Sequence, residues 1–242
     1  MAETVQLFIT CILDTLYPET GEAVVRVLQR AGVNVEFPAG QTCCGQPSFN
    51  AGLRQQALPA AMHTIQVFEH TRGPVVVPSG SCTSMMRRGY LELFAEHPLW
   101  LRRAQALAER TFELTEYLVD HLGITDLGAR YNGKLAYHAS CHLLRGIGVQ
   151  RQPLALLSAV QGAELVELRE ADECCGFGGV FSAEYAEISS AMLQRKIANI
   201  EASEAPLVVS CDAGCITQIN GGLHRLGKSQ RAVHIAEILS RA

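Results

Sequence analysis

The sequence lacks any uninterrupted hydrophobic run approaching the roughly 18–20 residues that a membrane span requires. Its opening residues, MAETVQLFIT, have neither the basic start nor the long apolar core of a secretory signal peptide. Basic residues are not in excess, since 20 Lys and Arg stand against 24 Asp and Glu, so the basic surface typical of nucleic-acid binding is not expected. We therefore expect a cytoplasmic protein with no membrane span and no nucleic-acid partner.

Common nucleotide-binding and hydrolase motifs are missing as well. No GxGxxG or P-loop pattern follows a β-rich run, so the sequence predicts no cradle for nicotinamide or nucleotide phosphates, and there is no Gly-x-Ser-x-Gly. The composition, 48% hydrophobic and 18% charged, is that of an ordinary globular protein. A chain of 242 residues is long enough for two domains of about 120 residues each, and for a core that needs no disulfides.

Cysteine, in contrast, is abundant, with nine residues in the chain. In a secreted mini-protein such a number would indicate a disulfide framework, whereas in a reducing compartment it favours metal ligands or redox groups. The odd count also fits a complete set of disulfide pairs poorly.

Eight of the cysteines form two copies of one pattern. A short β-rich run ends on Cys11 in VQLFITC, and another ends on Cys141 in LAYHASC. At near-equal offsets each copy then reaches a Cys-Cys-Gly, and later a third β-rich run that ends on a single cysteine. The first copy comprises Cys11, Cys43, Cys44 and Cys82, and the second comprises Cys141, Cys174, Cys175 and Cys215. Matched vicinal pairs in near-equal halves indicate an internal repeat.

The segments between the cysteines predict the fold. Apolar residues at three- and four-residue spacing predict helices over 20–31, 51–69, 153–160 and 183–202, and extra helices within 97–125. Short β-rich runs alternate with these helices, as in VNVEF (33–37) and AELVEL (163–168). This alternation predicts an α/β protein of two similar Rossmann-like halves, each a parallel sheet flanked by helices. We place the first domain at residues 1–127 and the second at 128–242.

All eight repeated cysteines then fall at the carboxyl ends of predicted strands, where open α/β sheets bind their ligands. Helices begin at the same edge, and their free N–H groups favour an anionic group such as a thiolate-bound cluster. We therefore expect one crevice in each half, lined by four cysteines.

The residue types favour an iron–sulfur cluster, which is commonly held by four cysteine thiolates. Two adjacent cysteines cannot easily chelate one tetrahedral ion, but they can reach different atoms of a larger cluster. A Cys₄ zinc site and metal-free thiol–disulfide chemistry remain as alternatives at this point. Cys211 lies outside the repeat, and we do not assign it as a ligand.

Several longer stretches carry a resemblance to a known family. They are ITCILD (9–14), FPAGQTCCGQPSFNAG (37–52), PSGSCTSMMR (78–87), YHASCHLLRGIGV (137–149), ECCGFGGVFS (173–182) and HIAEIL (234–239). Through them the chain resembles, over essentially its whole length, the CCG-type cysteine-rich proteins that include subunits of heterodisulfide reductase and glycolate oxidase. Within that family it is most similar to the lactate-utilization group.

The resemblance implies an iron–sulfur oxidoreductase subunit, not catalytically complete alone, that carries electrons in a multi-protein complex oxidising L-lactate to pyruvate. It implies one or two [4Fe–4S]-type clusters bound by the eight repeated cysteines, with other lactate-utilization subunits as partners and a small 2-hydroxy acid as a further candidate ligand. The family motif closes with Cys-x-x-Cys, but Ser79 and Asp212 stand at the first position of those pairs. This departure favours electron transfer over direct disulfide reduction at the cluster. A thiol- or cluster-based disulfide reductase and a zinc-stabilised interaction module are the alternative functions.

No catalytic residue is predicted. His142 and Arg145 lie just beyond Cys141, Arg87 lies beyond Cys82, and His138 stands near the end of the strand before Cys141, so we expect all four near the crevices. A lactate site would need a cation and a base. The simpler interpretation of all four is that they are solvated or hydrogen-bonded residues next to strand ends.

Overall fold

Each half of the chain forms one four-stranded, all-parallel sheet in the computed structural model, which describes residues 2–241. The strands of the first sheet lie in the order β2-β1-β3-β4, and those of the second in the order β6-β5-β7-β8. The first sheet consists of β1 (Thr4–Leu7), β2 (Asn34–Glu36), β3 (Val75–Val77) and β4 (Thr111–Glu113). The second consists of β5 (Arg130–Tyr137), β6 (Gln161–Val166), β7 (Leu207–Ser210) and β8 (Arg231–His234). The two sheets therefore have the same topology.

Helices connect the strands of each sheet. In the first half they are α1 (Cys11–Leu16), α2 (Pro18–Arg30), α3 (Gln46–Asn50), α4 (Arg54–Glu69), α5 (Gly80–Ser84), α6 (Tyr90–Leu93), α7 (Pro98–Ala108) and α8 (Leu114–Glu116). In the second half they are α9 (Arg151–Ser158), α10 (Phe181–Glu184), α11 (Ala186–Ser203), α12 (Ala213–Arg225) and α13 (Ile235–Leu239). Single π-helical turns cover Met85–Gly89, Tyr117–His121 and His142–Gly146.

Local sequence explains these elements. The strand β3 consists of three valines, all buried, as expected for a strand covered on both faces. The helix α2 starts with Pro18, whose fixed φ suits the first helical turn. Its buried residues, which include Ala23, Val24 and Val27, recur at the three- and four-residue spacing of one helix face.

The two sheets share one hydrophobic core and each has a second core on its other face. Alternate residues of a strand point to opposite faces, so Val76 of β3 packs in the shared core while Val75 and Val77 pack in the outer core of the first half. In the second half Val209 faces the shared core and Val208 faces the outer core. The halves are therefore joined through buried apolar surface.

Close backbone approach locks the two halves together near the carboxyl ends of the strands. The helix α5 of the first half packs against the π-helical turn His142–Gly146 of the second. A Cβ on Gly80 would lie 2.6 Å from the Cβ of Leu143, and a Cβ on Gly146 would lie 2.7 Å from the Oγ of Ser84. Glycine is required at position 80, because a Cβ there would also meet the backbone of Leu143, whereas at position 146 the Ser84 hydroxyl would have to turn away.

The structure confirms the predicted fold class of two Rossmann-like α/β halves. The expectation of helices alone within 97–125 is wrong at residues 111–113, which form the edge strand β4. The edge strand β8 also escaped prediction, because three or four residues are too short to show the alternation of a strand.

The division at residue 127 stays a prediction; residues on both sides of it, Leu127 and Ala129, pack in the shared core. No helix within residues 2–241 is long and apolar enough to cross a membrane.

Candidate metal centre between the two halves

All eight repeated cysteines line a single cavity of about 130 Å³ at the junction of the two halves. The wall also includes Thr10, Ser79, Ser140, His142, Phe177 and Asp212. The expectation of a separate crevice in each half is therefore wrong. The carboxyl ends of both sheets face one another across the same space, so the two sets of thiols lie on opposite walls.

In the first half, strand ends and helix starts position the four thiols. Cys11 begins α1 directly after β1, and Cys82 lies in the first turn of α5 after β3. The Sγ atoms of Cys44 and Cys82 are 3.4 Å apart, and the backbone N–H of Gly45 donates to the Sγ of Cys43 over 3.5 Å. Gly45 has a φ of 84°, a left-handed conformation that turns its N–H towards the sulfur.

The second half repeats this arrangement closely. The Sγ atoms of Cys175 and Cys215 are 3.2 Å apart, and the N–H of Gly176 donates to the Sγ of Cys174 over 3.4 Å. Gly176 has a φ of 86°. A Cβ there would lie 2.6 Å from the carbonyl oxygen of Ser189, so this position needs glycine for space as well as conformation. Sulfur separations of 3.2–3.4 Å are far longer than the about 2.05 Å of a disulfide bond, and all nine cysteines are free thiols.

Each set of thiols stabilises one sulfur as a thiolate. The thiols of Cys11 and Cys44 donate hydrogen bonds to Cys43, and they hold the pKa of Cys43 well below its ordinary value. Cys141 and Cys175 lower the pKa of Cys174 in the same way. The thiolate is the form of cysteine that binds metal. Cys43 and Cys174, the first cysteine of each CCG motif, therefore carry the sulfur atoms most readily held in the metal-binding form.

Ser79 and Asp212, which stand where the family motif has a further cysteine, serve the junction instead. Ser79 caps α5 by accepting a hydrogen bond from the N–H of Cys82, and Asp212 caps α12 by accepting one from the N–H of Gly214. The Asp212 carboxylate also accepts hydrogen bonds across the junction from the Ser79 hydroxyl (3.1 Å) and the Ser81 N–H (2.8 Å). Both side chains are thus committed to capping and to holding the halves together.

The remaining residues near the cysteines have separate surroundings. His142 reaches the cavity wall, with its Nδ1 3.6 Å from the Sγ of Cys141. Arg87 pairs with Glu116, and Arg145 donates to the carbonyl oxygen of Asp172, so neither guanidinium lines the cavity. Cys211 is buried in the shared core beside Tyr137 and is not among the residues that line the cavity.

Sequence reasoning missed two features of the second half. The side chain of Lys196 is buried, and its ammonium donates to the carbonyl oxygen of Glu170. His138 is completely buried behind the cavity, with one ring nitrogen and the Sγ atoms of Cys175 and Cys215 all within 4.8 Å of one another. No sequence signal separates the buried Lys196 from its exposed neighbour Arg195, since both belong to one charged stretch of α11.

The donor chemistry of both walls fits a metal group bound by thiolates. Four soft sulfur donors converge on each side of one cavity, one of them held as a thiolate, and backbone N–H groups point at sulfur. This is the donor set of zinc and of iron–sulfur clusters.

Comparison with known proteins agrees with this arrangement. The model of the cysteine-rich domain family, CCG, matches residues 5–87 and again residues 135–220. The chain is 46% identical to lactate utilization protein A of Bacillus pumilus (strain SAFR-032) and 44% identical to lactate utilization protein A 2 of Bacillus cereus (strain 03BB102), and each comparison covers 98% of both proteins. Among solved structures, the chain is similar to a putative Asp/Glu racemase from Yersinia pestis at 13% identity. That comparison covers 98% of this chain and 96% of the racemase. The TM-score between the two structures is 0.36.

Proposed function

Because the chain belongs to the lactate utilization protein A family of cysteine-rich domain proteins, we propose that it is the iron–sulfur electron-transfer component of a multi-protein complex that oxidises L-lactate to pyruvate. The relatives' names supply the lactate system. One observation in this chain carries the proposal: two sets of four cysteine thiols converge on one cavity.

The residues that would hold the metal group are the eight repeated cysteines. Cys11, Cys43, Cys44 and Cys82 form the first set, and Cys141, Cys174, Cys175 and Cys215 form the second. Two four-cysteine sets support one or two clusters of the [4Fe–4S] type, since such clusters take four thiolates. When bound, a cluster of this type accepts and releases single electrons. The amide groups of Gly45 and Gly176 already point at sulfur and would stabilise added negative charge.

The cavity favours electron relay over lactate chemistry in this chain. A lactate carboxylate is best bound by a cation, but no Lys or Arg within residues 2–241 lines the cavity. The positions of the missing fifth cysteines are also engaged, because Ser79 and Asp212 bind one another and cap helices. We therefore propose that another subunit binds lactate, and that this chain is an oxidoreductase subunit which is not catalytically complete alone.

We further propose a cytoplasmic location and a protein partner in the same lactate system. Nine free thiols are compatible with a reducing compartment, in which structural disulfides do not persist. Leu16, Phe37 and Leu53 are large apolar residues exposed on the surface of the first half.

Metal analysis of anaerobically purified protein tests the cluster. We expect brown protein with about four to eight iron atoms per chain and a matching amount of acid-labile sulfide. Colourless protein with stoichiometric zinc would instead support an interaction module stabilised by zinc. Protein with neither metal that reduces disulfides would support a thiol-based reductase, and either result would overturn the proposal.

Lactate oxidation tests the division of labour. The loaded chain alone is expected to leave lactate unchanged, whereas the reconstituted complex oxidises it and reduces this chain. Turnover of lactate by the purified chain alone with an artificial acceptor would contradict the assignment of a relay.

A further inference from the structure

His138 is a fully buried histidine with no hydrogen-bond partner for either ring nitrogen among the residues that the structure describes. The carbonyl oxygen of Ala171 lies beside the imidazole, but it accepts the N–H of Ala139 and makes no hydrogen bond of normal geometry with the ring. Leaving a buried polar group without a partner costs about 1–3 kcal/mol, and such groups are rare in native proteins. A buried imidazole of this kind therefore calls for a ligand.

The thiols of the second set lie within reach of this imidazole. One ring nitrogen of His138 and the Sγ atoms of Cys175 and Cys215 lie within 4.8 Å of one another, and all three residues are buried. Two donors bound to one metal atom by bonds of about 2.0–2.3 Å lie no more than about 4.6 Å apart, so the spacing of these three groups is close to that of donors sharing a metal atom. Three donors of this kind also match the soft-ligand preferences of iron and zinc.

The first half has no counterpart to this nitrogen. His138 stands three residues before Cys141, and Phe8 stands three residues before Cys11. Phe8 is equally buried, and its ring packs against Phe68 at a centroid distance of 5.8 Å. The repeat therefore places a donor on one side of the cavity and a hydrocarbon ring on the other.

We propose that His138 supplies a nitrogen ligand to the metal group held by the second set of cysteines, so that the second site is a Cys₄His site and the first a Cys₄ site. The inference rests on the proposed function, since it takes the bound group to be an iron–sulfur cluster. It gives the second site a fifth donor although Asp212 stands at the position of the fifth cysteine. It also gives a reason for an imidazole in a position where the repeat otherwise accepts phenylalanine.

Isotope labelling of the unmodified protein tests the ligand directly. The loaded chain is prepared with histidine containing either ¹⁴N or ¹⁵N, reduced to its paramagnetic state, and examined by pulsed electron paramagnetic resonance. We expect a strongly coupled nitrogen whose frequencies change with the isotope. The His138→Phe variant, which copies Phe8, is expected to lose this signal and to keep its iron, since eight thiolates remain. The His142→Gln variant is the matched control and is expected to keep the signal.

Metal binding by the apoprotein provides a second readout that does not depend on an iron–sulfur cluster. Co²⁺ is titrated against two proteins, the Cys44→Ala variant, in which the first site is weakened, and the same variant with His138→Phe added. We expect the change to Phe to weaken Co²⁺ binding at least about tenfold, because losing even an outer partner of a metal ligand typically costs 10–100-fold in affinity.

The possible results separate the inference from the proposed function. Identical spectra for both isotopes, together with equal Co²⁺ affinities, would overturn the histidine ligand while leaving the iron content to support the cluster. A chain that takes up no iron would overturn the proposed function, and the Co²⁺ titration would then decide the histidine ligand by itself.

Discussion

The two walls of the cavity carry the same thiols in different surroundings. On the first wall Phe8 and Tyr90 share a buried cluster with Cys44 and Cys82, and Tyr90 donates a hydrogen bond to the carbonyl oxygen of Cys44 over 2.9 Å. Thr64 is buried in the same half. On the second wall His138 and Lys196 take the positions of Phe8 and Thr64. The helix register supports this match, because the CCG glycines approach Ala57 and Ser189, and Thr64 and Lys196 each follow seven residues later.

The repeat therefore preserves the arrangement of the cysteines and varies the charges around them. The glycine N–H to sulfur contacts and the vicinal pairs recur in both halves. A buried cation acts strongly on a nearby thiolate-bound group because the interior has a low dielectric constant. We therefore expect the two sites to differ in reduction potential, with the second site higher.

The largest expected effect comes from removing one thiol on either wall. Cys44→Ala and Cys175→Ala should each remove about half of the bound iron, because each variant leaves the opposite set of four cysteines complete. Iron and sulfide analysis of both variants measures the effect. Cys211→Ala, which alters a buried cysteine outside the cavity, is the control and should retain all the iron. If one variant lost everything and the other nothing, only one wall would be loaded.

At the junction, Asp212 should contribute more to the stability of the folded protein than Ser79 does. Asp212→Ala removes a carboxylate that accepts hydrogen bonds from Ser79, Ser81 and Gly214, so we expect a loss of about 4 kcal/mol in the free energy of unfolding. Ser79→Ala removes one cap and one cross-junction donor and should cost about 1 kcal/mol. Anaerobic urea denaturation measures both. Equal losses would show that Asp212 acts only as the cap of its own helix.

Two buried groups at the ends of edge strands, Glu113 and His234, should make the stability of the protein depend on pH in opposite directions. Glu113 at the end of β4 and His234 at the end of β8 each cap the following helix through a capping box, and both are fully buried. Burial raises the pKa of Glu113 from 4.5 to about 7, against the opposing hydrogen bonds of Thr115. The folded state therefore binds the proton more tightly than the unfolded state, and stability falls by about 3 kcal/mol as the pH rises from about 4.5 to 7.

Glu113→Gln removes this titration while its amide oxygen can still accept from the N–H of Thr115. Unfolding measured across this pH range should show the slope only in the unsubstituted protein, and parallel curves would refute the prediction. His234 has the opposite sign, since burial lowers its pKa and its contribution is lost as the pH falls below the ordinary histidine value of about 6.5.

Sequence alone predicted the two α/β halves and the eight cysteines that come together, but not how the halves face one another. Periodicity predicted helices such as α2, and the offsets between cysteines identified all eight cysteines that line the cavity. The single cavity depends on how two repeats face one another, which is decided by contacts such as Gly80 against Leu143 that no local pattern encodes. The same limit hid His138, because a histidine in a strand has the same sequence signature whether or not its ring nitrogens find partners.

Substitution of Lys196 has the smallest expected effect, a change in the reduction potential of the second site, and it tests the electrostatic difference between the two walls. Its ammonium lies in the field of Cys175 and Cys215, although burial lowers its pKa. A positive charge stabilises the reduced, more negative form of a nearby cluster, so Lys196→Met should lower the potential of the second site. A loss of about 1–2 kcal/mol, or about 50–90 mV for one electron, corresponds to one charge at roughly 8–15 Å in a medium of effective dielectric constant about 20.

Thr64→Val, at the matching position of the first half, is the control for this change. It removes a hydroxyl but no charge, so redox titration followed by electron paramagnetic resonance should show the first potential nearly unchanged. The pair of variants separates two causes of inequivalence, because a gap between the sites that survives Lys196→Met and closes in His138→Phe must come from the histidine. If Lys196→Met shifted both potentials equally, the charge would act on the cavity as a whole, and the two walls would be electrostatically one site.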